Sequence, residues 1–210
     1  MALQADIGEH VVHLCIDMQR LFSSDGPWPT PWLERVLPNV VKIVKQKPER
    51  TVFTRFITPN TPGDMPGKWR DYYCKWRNVT QDRLDRSLFD LVPALQKFVP
   101  PAAVFNKFVY SAFANGEVHR YLRERHVTDL IITGSETDVC VLSTVLAAVD
   151  LGYRIVVVGD GVCSSADETH EAMIDMYSSR FSVQIELAEA EEVIEAWRTS
   201  PGPSPVGRST

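Results

Sequence analysis

The chain has 210 residues, 44% of them hydrophobic, which suits one globular domain around one buried core. Its 22 Lys and Arg against 27 Asp and Glu give a formal charge of −5. That balance argues against a nucleic-acid partner, which needs a basic surface to displace phosphate counterions, and gives no reason for an anionic membrane partner. Cys15, Cys74, Cys140 and Cys163 are scattered without CxxC or zinc-type spacing, no apolar run approaches the roughly 20 residues of a membrane span, and residues 1–6 carry no leader pattern, so a cytoplasmic protein with reduced thiols is expected.

In chain order, residues 11–16 (VVHLCI) form an apolar, β-branched run that predicts a first strand. Residues 33–44 repeat their apolar positions at helical spacing. Residues 51–56 predict a second strand, and 58–87, rich in proline and aromatics without a period, a long excursion. A third strand is expected over 103–108, a helix over 117–125 and a fourth strand over 130–133. A helix over 139–151 ends at Gly152, a residue type suited to the position after a helix. A fifth strand over 154–158, a helix over 166–178, a sixth strand over 183–187 and a helix over 189–197 complete the alternation. Residues 200–210 begin Ser-Pro-Gly-Pro-Ser-Pro and are expected to be a disordered tail behind a domain over 1–199.

Strand-helix alternation of this kind implies an α/β fold. It would be a three-layer αβα domain on a six-stranded, mostly parallel sheet, doubly wound in the Rossmann-like manner. Ligands of such folds sit outside the carboxyl ends of the strands, so chemistry is sought there. Three strand ends stand out. Asp17 closes the first strand, although a carboxylate there also makes turns and caps. Lys107 interrupts the apolar third strand, which fits either a solvent-facing edge or a carboxylate partner. Cys140 follows the fourth strand at the start of a helix, where Thr137 or Asp138 could cap. Unpaired N–H groups and the helix dipole there favour a thiolate and can hold an oxyanion, while the plainer reading is a cysteine packed in the core. Taken together, an acid, an amine and a thiol on the rims of three strands make a nucleophile with its base and orienting group.

Ile16-Asp17-Met18-Gln19 with Phe22, then Lys107-Phe108-Val109-Tyr110-Ser111-Ala112-Phe113, then Gly134-Ser135-Glu136-Thr137-Asp138-Val139-Cys140-Val141 with Thr144, resemble the isochorismatase-like cysteine hydrolases in content and order. The resemblance covers roughly residues 11–197. It implies an oligomeric αβα enzyme, a dimer or tetramer, acting on a small molecule without a cofactor. It also implies a triad of Asp17, Lys107 and Cys140, a cis peptide at Ser135–Glu136, and an oxyanion hole from the N–H groups of Glu136 and Cys140. Many relatives have a small residue at the position of Glu136. Its carboxylate either reaches the substrate or turns away into a salt bridge. Nicotinamidases of the family carry Asp-x-His and a second His after the second strand to bind a metal. Thr54-Arg55-Phe56-Ile57-Thr58-Pro59 has no histidine, which speaks against a metal site and a nicotinamidase role.

Phe22, Tyr110 and Phe113 flank the triad motifs and are candidate pocket residues. Trp69, with Tyr72, Tyr73 and Trp76 of the excursion, would either line or cover the pocket or build a subunit interface. Arg55 and Arg70 are candidates to bind a substrate carboxylate, although surface ion pairs are the commoner use. The expected reaction is hydrolysis of a small amide, carbamoyl or ureido C–N bond through a Cys140 thioester. The alternatives are a vinyl-ether hydrolase of the isochorismatase type, which needs the acid and not the sulfur, and a catalytically silent scaffold.

Overall fold

The computed structural model describes Leu3 and residues 7–199. The tail expected over 200–210 lies outside the described residues. Six strands form one sheet: β1 (Val11–Ile16), β2 (Thr51–Phe56), β3 (Ala103–Lys107), β4 (Asp129–Ser135), β5 (Arg154–Cys163) and β6 (Ile185–Ala188), in the order β3-β2-β1-β4-β5-β6. Every pairing is parallel, so the sheet is wholly rather than mostly parallel. Parallel strands are buried on both faces, and β1 accordingly is buried at every position.

The seven helices are α1 (Leu33–Gln46), α2 (Gly67–Lys75), α3 (Pro93–Gln96), α4 (Glu117–Glu124), α5 (Leu142–Asp150), α6 (Asp167–Ser179) and α7 (Ala190–Thr199). On one face of the sheet, Leu14, Ile132 and Val157 pack with Leu122 of α4, Val145 of α5 and Tyr177 of α6. On the other, Val36 and Val40 of α1 meet Cys15 and Phe53, while Ile43 of α1 joins Val193 and Trp197 of α7 over Val11 and Val156. α1 buries Leu33, Val36, Val40, Ile43 and Val44, the helical spacing that its sequence displays.

Two expectations change. The excursion holds order that its composition hides, with α2 and several 3-10 turns packed around buried Tyr73. The fifth strand runs to Cys163 rather than stopping at 158: past a shift in register it pairs Gly134 with Val162 and Ser135 with Cys163. Gly159 and Gly161 interrupt the apolar pattern that marks its first half.

Chain order reverses between β1 and β4, which neighbour each other at the middle of the sheet. The crevice beyond their carboxyl ends is where an open α/β sheet binds ligands. Gly134 lets the two strands come together there. It pairs with Ile16, has φ +120°, and a Cβ added to it would stand 2.1 Å from the Ile16 carbonyl oxygen. Only glycine fits that approach.

Candidate active site

Three strand ends deliver the chemistry. Asp17 follows β1 with φ +50° and is fully buried. Its backbone N–H donates to Thr54 Oγ1 at 3.2 Å, and the Thr54 hydroxyl donates back to Asp17 Oδ1 at 2.6 Å. Thr54 comes from the neighbouring strand β2, so one bond to the backbone and one to the carboxylate fix Asp17 against the sheet. Lys107 closes β3, on the far side of β2, and its Nζ stands 2.6 Å from Asp17 Oδ2. The same ammonium donates to the Val109 carbonyl at 3.2 Å and lies 4.8 Å from the centre of the Phe56 ring. The ion pair is therefore sealed, with its charges satisfied by each other and by neighbouring dipoles, as a buried pair requires.

Cys140 reaches the same point from β4. It comes close enough for the Asp17 and Lys107 charges to act on its thiol. The turn that carries it is not the regular helix start that its sequence predicts. Residues Thr137–Val141 form a single π-helical turn before α5. The Glu136 carbonyl accepts from both Val139 N–H at 3.1 Å and Val141 N–H at 3.0 Å. Thr137 and Asp138, expected as helix caps, bind sideways instead. The Thr137 hydroxyl pairs with His170 Nδ1 at 2.9 Å, and Asp138 accepts from the Ser164 hydroxyl at 2.6 Å and from Thr169. These contacts clamp the turn to the end of β5 and to α6. The peptide Ser135–Glu136 is cis. Thr144, one turn on, accepts from Ala112 N–H at 3.1 Å and ties the 108–113 loop to α5.

The electrostatics depart from expectation at the sulfur. Burial pushes the Cys140 thiol well above its ordinary value; the Lys107 charge draws it back, and the Asp17 charge pushes it up again. Burial therefore opposes the thiolate that a helix start would favour and keeps the thiol form. Burial also works against the Lys107 charge, but Asp17 and Cys140 outweigh it and hold the ammonium above the usual lysine value. The resting site is thus a thiol beside a carboxylate–ammonium pair.

A cavity of ≈ 320 Å³ opens onto Cys140. Phe22 and Tyr110 line it, together with Tyr72 and Trp76 of the excursion. Trp28, Phe56, Val139, Ser165, Pro27 and Pro29 complete the wall with Glu136. Two residues expected at the pocket line no part of this cavity. Phe113 is buried in the core against Tyr153, with ring centroids 6.0 Å apart. Trp69 stands behind Tyr110 at 4.8 Å and faces a shallow outer groove with Lys68. Arg55 pairs with Asp90 at 3.3 Å and with Asn106, and Arg70 is exposed on α2, so neither enters the cavity wall.

Gln19, Thr54 and Trp28 carry roles that sequence reading did not assign. Gln19 is fully buried; its amide donates to the Phe56 and Phe89 carbonyls and accepts from Phe56 N–H at 2.7 Å, which locks the exits of β1 and β2 together. A buried polar position just after the Asp17 motif is the signal that points to it. Trp28 sits in a Pro-Trp-Pro loop that has no periodicity to mark it.

The histidine donors that hold a metal in nicotinamidases are missing after β2. Among the described residues no three His, Cys, Asp or Glu side chains gather as a metal set. No helix among them is long and apolar enough to cross a membrane.

A family model described as Isochorismatase domain matches residues 11–189. A nicotinamidase of Escherichia coli (strain K12) is 35% identical over 121 residues, 50% of this chain and 52% of that enzyme. The chain spans about half the length of the relatives that it matches at this identity. Among solved structures, a cysteine hydrolase from Pseudomonas syringae pv. phaseolicola 1448A superposes with a TM-score of 0.83 over 95% of this chain and 98% of that one, at 18% identity. An N-carbamoylsarcosine amidase from Thermoplasma acidophilum superposes at 0.69 over 86% and 96%, at 17% identity. At these identities the likeness is one of fold.

Proposed function

The chain belongs to the isochorismatase family of hydrolases, and on that premise we propose that it cleaves an amide or carbamoyl C–N bond of a small molecule through a thioester on Cys140. The observation that carries this reading is the meeting of a cavity-lining thiol with the sealed Asp17–Lys107 pair. The presence of an amidase and a nicotinamidase among the similar proteins supports the class of bond.

In the proposed cycle Asp17 takes the thiol proton as the sulfur attacks the carbonyl carbon. A general base is needed because burial keeps the resting sulfur protonated. The tetrahedral oxyanion rests on the backbone N–H groups of Glu136 and Cys140, at the head of the turn. Lys107 keeps Asp17 oriented and offsets the negative charge. As the C–N bond breaks, Asp17 returns its proton to the leaving nitrogen, and ammonia or an amine departs. Water then gives a proton to Asp17 and attacks the thioester; the carbon–sulfur bond breaks, and the sulfur regains the proton. No step calls for a cofactor, a nucleic acid or a membrane.

Vinyl-ether hydrolysis would use Asp17 and leave the sulfur idle. A thiol in the cavity wall beside its base favours the covalent route. The test is ammonia release from a panel of small primary amides and carbamoyl compounds. Catalysed release that saturates with one of them is the expected result. A folded protein that releases ammonia from none of them would overturn the reading.

A further inference from the structure

Glu136 lines the cavity with Cys140, and its carboxylate is bonded to Ser165, which lines the cavity too. Its Oε1 accepts from Ser165 N–H at 3.1 Å and from the Thr30 hydroxyl at 3.5 Å. Both donors are neutral, so they hold the group in place without cancelling its charge. Among the described residues no Lys, Arg or His forms an ion pair with it.

The surfaces around it are aromatic. Trp28 and Trp76 meet edge to face at 5.9 Å, and Phe22 stacks on Trp28 at 6.2 Å. Ring faces carry negative potential and attract cations. Among the described residues no Lys, Arg or His lines the cavity. Lys107 is buried below it and committed to Asp17. The lining therefore holds one carboxylate and several electron-rich faces, and Lys75 already stands over the Trp76 ring at 5.6 Å, which shows that these faces take a cation.

We propose that the substrate carries a cationic group, an alkylammonium or quaternary ammonium, held between the Glu136 carboxylate and the aromatic lining of the cavity. The reacting carbonyl of the same molecule lies on Cys140, a part of the proposal that rests on the hydrolase reading. Carbamoyl amino acids, ureido acids and other anionic amides meet repulsion from Glu136. The cavity volume limits the substrate to a short chain between the two groups.

The experiment separates binding from chemistry. In a Cys140→Ala background, choline and its neutral isostere 3,3-dimethylbutan-1-ol are titrated against tryptophan fluorescence, because Trp28 and Trp76 report on the cavity. Choline is expected to bind at least ten times more tightly, and Glu136→Gln in the same background to shrink that preference to under twofold. Glutamine keeps an acceptor for Ser165 and Thr30, so the local fold is retained. In the active enzyme, kcat/KM for trimethylammonioacetamide is compared with that for its isostere 3,3-dimethylbutanamide, and a cationic preference of tenfold or more is expected. Equal binding of the two alcohols, or a preference that survives Glu136→Gln, overturns the cationic proposal. A binding preference without hydrolysis of either amide supports the cationic site and counts against the hydrolase reading. Hydrolysis with no cationic preference does the reverse.

Discussion

Lys107 Nζ stands 2.6 Å from Asp17 Oδ2, and both side chains are sealed from solvent. Removing one member of such a pair strands a charge in a low-dielectric site. Lys107→Met is expected to cost about 3–5 kcal/mol in stability. Combining it with Asp17→Asn should cost less than the sum of the two single changes, because the double variant strands no charge. Urea denaturation of the three variants checks this; strictly additive losses would mean that the pair is not coupled.

Thr54 holds Asp17 from the neighbouring strand with one donated and one accepted hydrogen bond. Thr54→Val keeps the shape and removes both. A loss of about 2 kcal/mol in stability is expected, in the range for hydrogen bonds to charged groups. Turnover should fall by about tenfold with KM little changed, since the base loses its aim rather than the cavity its walls. Steady-state kinetics on a turned-over amide decide it; a change confined to KM would place Thr54 in binding instead.

The fold, and the strand ends that meet at the candidate site, were legible in the sequence for one physical reason. Buried parallel strands write unbroken β-branched runs, and polar residues at their ends stand out against them. Asp17 follows one such run and Lys107 closes another, while Cys140 lies in the turn beyond a third. The cavity wall was read less well because it is built by loops. Trp28 and Glu136 come to line one cavity only through the packing of segments far apart in sequence, and no periodicity marks either. Phe113 adjoins the Lys107 motif in sequence, yet its ring turns into the core. Trp69 and Tyr72 lie on the same helix, but Tyr72 turns to the cavity while Trp69 packs behind it. At the sulfur a helix start suggests a field, whereas burial, which opposes it, is visible only once the chain is folded.

His13 is fully buried in β1, bonded to Thr133 Oγ1 at 2.7 Å, and burial lowers its pKa from 6.5 to about 3. Between those values the unfolded chain takes up a proton that the folded chain refuses. Stability from this group is therefore intact above pH 6.5 and is lost as pH falls toward 3. Its share of the loss between pH 7 and pH 5 is about 2 kcal/mol. His13→Asn should flatten the pH dependence by that amount, even if its stability at pH 7 is lower. Urea midpoints at the two pH values check it, and an unchanged slope in the variant would contradict it.

Four free thiols provide a direct probe of the base. Cys74 is exposed; Cys15 and Cys163 are buried, and burial pushes Cys15 up to about 12 and Cys163 higher still. In a Cys74→Ser background, iodoacetamide, itself a small amide, is expected to label Cys140 and spare the other two. Because the resting group is a thiol, labelling needs Asp17 to take the proton. Asp17→Asn should slow it by about tenfold or more, given the usual worth of a positioned base. Peptide mass mapping against time provides the readout, and equal rates with and without the carboxylate would remove Asp17 from the role of base.

The most direct measurement is turnover by Cys140→Ala on an amide that the unaltered enzyme hydrolyses, with circular dichroism confirming that the variant is folded. A covalent route through the sulfur predicts that ammonia release falls by at least about a thousandfold. Release within tenfold of the unaltered enzyme would contradict the account.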